Sequence, residues 1–279
     1  MMVIRRGTRF PCVDRCFFYA LLVVLVFLTS CSDSVSNGDQ SLSASDRDLP
    51  ELLIFTGITM TRPINDLAQL FEERASCRVT VVKGGSGNLL RLILHNRAGD
   101  LYLPGSERYF AQIEEKEPGL IVETLRVGHN RAVLMVREGN PLGISSGFES
   151  LADPRYRVVI GDPSSGSIGR ETRKILEKRG LYRAVVKNAM YMTTDSKDLV
   201  KALLDGEADL VMNWYAAATW EDHPQRVDVL PVPSVAIEAN DLQLGLLRFS
   251  RHPELARSFL RLAGSEEGSA VFRRYGLSE

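Results

Sequence analysis

With 279 residues, 44% of them hydrophobic and 25% charged, the chain has the make-up of an ordinary globular protein of one or two domains with a substantial core. Its 34 basic and 35 acidic residues nearly cancel, leaving a formal net charge of −1. The basic residues are scattered rather than clustered, which excludes a nucleic-acid footprint, and no acidic tail is present.

The first thirty residues read as a secretory signal outside the fold. Arg5, Arg6, Arg9 and Arg15 precede an apolar block from Phe17 to Leu28, which is shorter than the roughly 18 residues a membrane-spanning helix needs. The block ends in Leu28, Thr29, Ser30 and Cys31, which looks like a lipobox: small residues for a narrow peptidase subsite, then a thiol that takes lipid. Residues 31–50 are then a polar tether, and Cys31 is a membrane anchor. Cys12 and Cys16 leave with the signal, so Cys77 has no partner for an internal disulfide and reads as a small core residue.

From Leu52 onward, short apolar runs alternate with helical periodicity, the rhythm of βα units and a mostly parallel sheet. "LLIF" reads as a strand, and Ile64, Leu67, Ala68, Leu70 and Phe71 form the buried stripe of a helix that starts near Thr61. "RVTVV" gives a second strand, and Leu89, Leu90, Ile93 and Leu94 the next helix face. After residue 128, "RAVLMV" and "RVVIGD" read as strands, followed by a helix with Ile168, Thr172, Ile175 and Leu176 on one side. Gly180 stands where a left-handed C-terminal cap is wanted. Leu199, Val200, Leu203 and Leu204 mark another helix and "ADLVM" a buried strand. One closing helix begins at Pro253, the other after Ser265.

Four loops recur in this pattern: "TGITMT", "GGSGN", "PSSGSIG" and "TTDS". Each leaves a strand or turn and enters a helix carrying Thr or Ser, several with Gly. A helix N-terminus presents unpaired N–H groups and about half a positive charge, glycine permits close approach, and a hydroxyl adds a donor. Four such termini converging make an anion cage. Taken singly, each hydroxyl also reads as an N-cap of its own helix; it is the set that argues for a site. Lys83, Arg62 and Arg170 flank these loops, with Lys83 expected to face solvent and Arg170 to pair across the fold.

Catalytic patterns fail. A nucleophile elbow needs glycine at position 88, where Asn88 stands, and a P-loop needs a Lys-Ser/Thr pair that is missing after Gly166 and Gly169. His95, His129, His223 and His252 show no metal-ligand spacing. The sequence therefore predicts a binding protein without a cofactor or resident metal, not an enzyme.

Seven segments, "LLIFTGITMTRPINDLAQLFEE", "VTVVKGGSGNLLRLI", "GDLYLPGSERYF", "VGHNRAVLMVREGNP", "VVIGDPSSGSIGRETRKILEKRGL", "GEADLVMNWYA" and "HPELARSFLRLAGSEEGSAVFRRYGL", resemble in order and spacing the molybdate-binding proteins of ABC importers. The resemblance implies an α/β, two-lobed periplasmic binding protein fold of class II type, each lobe a mixed sheet flanked by helices with the ligand between them. It further implies a monomer that binds a tetrahedral oxyanion, molybdate or tungstate, through neutral donors and presents it to the transmembrane subunits of a permease. Residues 51–127 and 238–279 would form lobe 1 and residues 128–237 lobe 2. Carried over by position, the family's two loop serines fall on Thr59 and Ser86, and its two backbone donors near Ile168, with Ser167 beside it, and at Ser196. Its tyrosine falls on Trp214, with Tyr215 one place later, so the last donor is open between these two. The family's Ala-Asp-Val-Phe stretch is replaced by "GDLYLPGS", a mark of a distinct branch. Phosphate, sulfate or another small anion, or a lipid-anchored sensor function, are the alternatives on the same fold.

Overall fold

The computed structural model describes residues 49–220, 227–231 and 239–277. The expected signal and nearly all of the expected tether, Cys31 included, lie outside the described residues, as does the expected lobe boundary at residues 237 and 238.

The first half opens with strand β1 (Glu51–Gly57), a short 3₁₀ turn (Ile58–Met60) and helix α1 (Thr61–Ala75). Pro63 fits the first turn, where its missing N–H costs nothing, and Ile64, Leu67, Ala68 and Phe71 are buried as the spacing predicted. Strand β2 (Arg78–Gly84), helix α2 (Ser86–Asn96), strand β3 (Leu101–Leu103), helix α3 (Arg108–Lys116) and strand β4 (Ile121–Asn130) follow. The second half runs through β5 (Ala132–Arg137), β6 (Val158–Gly161), α4 (Ser167–Glu177), α5 (Tyr182–Asn188), β7 (Ala189–Thr193), α6 (Ser196–Leu204), β8 (Leu210–Trp214) and β9 (Val227–Leu230). Gly180 has φ +71° after α4, the left-handed conformation that glycine adopts without steric cost. Strand β10 (Asn240–Leu247) and helices α7 (Pro253–Ala263) and α8 (Glu266–Arg274) close the chain, with the Ser265 hydroxyl capping α8 through the Gly268 amide at 3.2 Å.

Two five-stranded mixed sheets result, in the orders β2-β1-β3-β10-β4 and β7-β6-β8-β5-β9. In the first, β1 is parallel to β2 and β3, while β10 is antiparallel to β3 and β4. In the second, β6 is parallel to β7 and β8, while β5 is antiparallel to β8 and β9. The chain leaves the first sheet after Asn130, enters the second at Ala132, and rejoins the first at Asn240, directly opposite Asn130. Each sheet is covered by helices and has its own core: Val133, Leu134, Val159, Ile168 and Leu210 in the second lobe, and Leu52, Ile54, Ile64, Leu244 and Phe259 in the first. Cys77 lies in the first core.

"GDLYLPGS", "VGHN" and "TTDS" play parts that periodicity did not give them. The first contains β3, the second ends the long strand β4, and the third follows the strand β7. Three-residue β3 is too short for alternation to register, and β7 carries exposed Met190, Tyr191 and Met192 because it is a sheet edge.

Candidate functional site

In parallel sheets, loops at the carboxyl ends of the strands share one side. Here three strands from each sheet point those ends at a common cavity. Gly57, Ile58, Thr59 and Met60 follow β1, Gly84, Gly85 and Ser86 close β2, and Gly105 follows β3. From the second lobe come Gly166, Ser167 and Ile168 after β6, Asp195 and Ser196 after β7, and Trp214 at the end of β8. The walls nearly fill the cavity, leaving about 10 Å³ for the centre of a water molecule, roughly one water's worth.

Six of the seven positions predicted to meet the ligand, Thr59, Ser86, Ser167, Ile168, Ser196 and Trp214, come together here. Tyr215 does not. It follows Trp214 in the chain and opens a 3₁₀ turn (Tyr215–Thr219), so its ring leaves the cavity and stacks under the Arg131 guanidinium at 4.2 Å. Adjacent residues at a strand end point to opposite sides, and only one of the two aromatics is able to face the cleft.

The hydroxyls are not ordinary caps. Ser86 and Ser167 are the first residues of α2 and α4, whose N-cap positions are Gly85 and Gly166 with no side-chain cap. Their own N–H groups, with that of Ile168, have no acceptor inside the helix. Helix α6 is capped by Asp195, whose carboxylate accepts from the Lys197 amide at 2.8 Å and the Asp198 amide at 3.3 Å, so Ser196 is again a first helical residue. The Ser86 hydroxyl accepts from the Gly105 amide at 3.0 Å, and the Ser167 hydroxyl from the Trp214 indole N–H at 3.1 Å. The Thr59 hydroxyl rests against the Met60 sulfur at 3.0 Å.

Buried groups hold this arrangement in place. The Tyr102 hydroxyl donates to the Ser86 carbonyl at 2.7 Å, and burial raises its pKa well above the ordinary phenol value. The Asn213 amide donates to the Ser196 carbonyl at 2.9 Å while its oxygen accepts from the Trp214 amide at 2.8 Å, tying α6 to β8. Among the described residues Asp195 is the one carboxylate of the lining. Burial pushes its pKa above the ordinary value, Asp198 adds to the rise, and the two capped amides oppose it. No Lys, Arg or His lines the cavity among the described residues.

Gly85 and Gly87 of "GGSG" serve a further purpose that their sequence did not suggest. The approach they permit is that of the opposite lobe's backbone. A Cβ on Gly85 would stand 2.6 Å from the Ser165 carbonyl oxygen and 2.8 Å from that of Thr194; one on Gly87 would stand 2.7 Å from the Ser164 oxygen. The Ser165 carbonyl accepts from the amides of Gly87 at 2.9 Å and Asn88 at 3.2 Å, so two of the free N–H groups of α2 bind protein instead of facing the cavity. Arg91 donates to the Ser164 carbonyl at 3.0 Å, and the Arg170 guanidinium lies 4.1 Å from the Tyr109 ring of the other lobe. Burial pushes the Tyr109 hydroxyl up to about 12, against the pull of Arg170. Lys83 is exposed, as expected.

Two cavity residues had no place in the sequence reading. Gly105 lay in the stretch that departs from the family pattern, and that departure was the available signal. Asp195 lay in plain view inside "TTDS", but its burial follows only from the meeting of the two lobes.

The profile of bacterial extracellular solute-binding proteins matches residues 52–278. The chain belongs to that family. It is 26% identical over 226 residues to a Haemophilus influenzae protein named only as a binding protein, covering 81% of this chain and 90% of the relative. It is 20% identical over 230 residues to the molybdate-binding protein ModA of Mycobacterium tuberculosis, covering 82% and 84%. Among solved structures, a periplasmic thiamin binding protein shares the fold with a TM-score of 0.71 at 16% identity, covering 83% of this chain and 84% of that one. These relatives are binding proteins, and this solute-binding protein resembles the molybdate-binding branch in sequence and the periplasmic binding proteins in its two-lobed fold.

Proposed function

We propose that this protein is the lipid-anchored, extracytoplasmic binding component of an ABC-type importer and that it holds a tetrahedral oxyanion, molybdate or tungstate, in the cleft between its lobes. Cys31 carries the lipid after removal of residues 1–30, and the permease reads the closed form. The observation that carries the reading is the cavity itself: neutral hydroxyls at Thr59, Ser86 and Ser167 and the first amides of three helices, drawn from both lobes, with no cationic side chain in the lining among the described residues. A dianion leaving water needs several directed donors to replace its hydration. Hydrogen bonds to a charged group contribute about 1.5 to 3 kcal/mol each, so six or seven support micromolar binding or better. The small room left between the walls means that a tetrahedral oxyanion enters only as the lobes part, and the two crossings near Asn130 and Asn240 supply the hinge.

A second reading rests on Asp195. A carboxylate in the lining accepts a hydrogen bond from a protonated oxyanion such as hydrogen phosphate, and repels an oxyanion that has no proton to donate.

A thermal-shift panel of molybdate, tungstate, sulfate, phosphate and thiamin tests both. A specific ligand at 100 times its dissociation constant adds about 2.7 kcal/mol. Stabilisation by molybdate and tungstate alone supports the first reading, stabilisation by phosphate the second, and no response to any oxyanion overturns both.

A further inference from the structure

The two serine hydroxyls of the cavity share a pattern. Each accepts a hydrogen bond from a rigid N–H, Ser86 from the Gly105 amide and Ser167 from the Trp214 indole. Among the described residues neither hydroxyl donates one. Both serines are buried, and Trp214 is only 1% exposed. A serine hydroxyl has one proton and two lone pairs. Where a fixed donor occupies one lone pair, the proton must rotate away from that donor, and for these two side chains the free direction is the cavity.

We propose that Trp214 and Gly105 are positioning residues that turn the Ser167 and Ser86 protons onto the guest, and that Trp214 acts through Ser167 without touching the guest. This rests on the oxyanion reading above. An indole suits the task because its N–H is a donor only, whereas a phenol at the same place could donate or accept and would leave the serine proton undirected. A buried indole N–H also needs a partner, and Ser167 is its partner here. Gly105 completes the device from the other lobe: a Cβ there would overlap the Ser167 Oγ and lie 3.6 Å from the Trp214 Nε1. Only a glycine lets the loop after β3 lie against the indole–serine pair. Gly105 from one lobe and Trp214 from the other thus make the cage a donor toward its guest on both sides of the cleft.

The test is a double-mutant cycle on the full-length protein, titrated calorimetrically with molybdate, sulfate and phosphate. Trp214→Phe keeps an aromatic ring and removes the N–H. We expect it to weaken binding of the recognised anion about tenfold, close to 1.4 kcal/mol, with Ser167→Ala losing at least as much. The double variant should bind no more weakly than Ser167→Ala alone, because the indole acts only through that serine. Multiplying losses, or wild-type affinity in Trp214→Phe, overturn the proposal. Wild-type affinity in Ser86→Ala likewise overturns the Gly105–Ser86 half of the proposal, whereas the oxyanion reading fails separately, if the wild type binds none of the three anions. Should Trp214→Phe not fold, the indole ¹⁵N–¹H signals of the wild type and Ser167→Ala decide. The chain has two tryptophans, so Trp220→Phe assigns the signals. The Trp214 signal should move strongly in Ser167→Ala and little when the anion is added. The reverse order means direct contact with the guest and overturns the proposal.

Discussion

The amide of Gly87 donates to the carbonyl of Ser165 at 2.9 Å, joining the first turn of a helix in one lobe to the loop that opens a helix in the other. No side chain is involved, so the contact depends on two backbones reaching van der Waals distance. Gly85 and Gly87 make that possible, and their substitution tests it directly.

In Gly85→Ala, the added methyl would stand 2.6 Å from the Ser165 oxygen and 2.8 Å from the Thr194 oxygen, so the loops have to part. The expected result is a larger radius of gyration by small-angle scattering and an anion affinity at least tenfold lower, a loss of about 1.4 kcal/mol. Each lobe keeps its own core, so the far-ultraviolet dichroism should stay that of the wild type. An unchanged radius together with unchanged affinity would show that the contact does not hold the lobes together.

Thr59→Val and Ser86→Ala each remove one hydroxyl from the cavity. Both are expected to weaken oxyanion binding at least tenfold, or about 1.4 kcal/mol. Ser86→Ala should cost the protein more stability, because it strands the buried Gly105 amide, a penalty of about 1 to 3 kcal/mol. The Thr59 hydroxyl donates to the Met60 sulfur, a weak acceptor that is given up cheaply. Calorimetric titration and chemical denaturation of both variants separate the two effects.

The Asp195 carboxyl sits above its ordinary pKa because burial and Asp198 disfavour its charge. The sign follows: stability falls as pH rises from the unfolded value through the raised folded value, since the charged form is the costly one. Affinity for a dianion should fall over the same rise, as Asp195 ionises beside it. Asp195→Asn keeps a good N-cap and removes the charge, so it is expected to bind a dianion severalfold more tightly and with a flatter pH profile. A loss of phosphate binding in the same variant would instead mark Asp195 as the acceptor for a protonated oxyanion.

Asp209 illustrates the opposite shift. Its carboxylate accepts from the Arg157 amide at 2.9 Å and from the guanidinium at 3.1 and 2.6 Å, and Arg157 holds its pKa below the ordinary value. The stability this provides is present above the unfolded carboxylate pKa and is lost as pH falls through the depressed folded value. Arg157 is half exposed, so with solvent screening Asp209→Asn is expected to cost about 1 to 2 kcal/mol at pH 7. Urea denaturation at pH 7 and again in acid should show the difference between variant and wild type shrinking at the lower pH.

Local elements and the identity of the donors can be read from the chain. The stripe from Ile64 to Phe71, the left-handed Gly180, the cap at Ser265 and the hydroxyls of four loops are all written in neighbours three or four residues apart, where periodicity and capping act. Pattern resemblance added the two-lobed architecture. What those residues do follows from how the two lobes pack. Trp214 and Tyr215 are equal candidates in the chain, and the direction of β8 into its 3₁₀ turn sends one to the cavity and the other to Arg131. Gly85, just before α2, looks like room for an anion, yet the carbonyls closest to it belong to Ser165 and Thr194, 80 and 109 positions along the chain. Gly105 showed only as part of a divergent stretch and Asp195 only as a cap-type residue in "TTDS", because their roles in the cavity arise from burial between two lobes. Such burial depends on distances that local propensity does not encode.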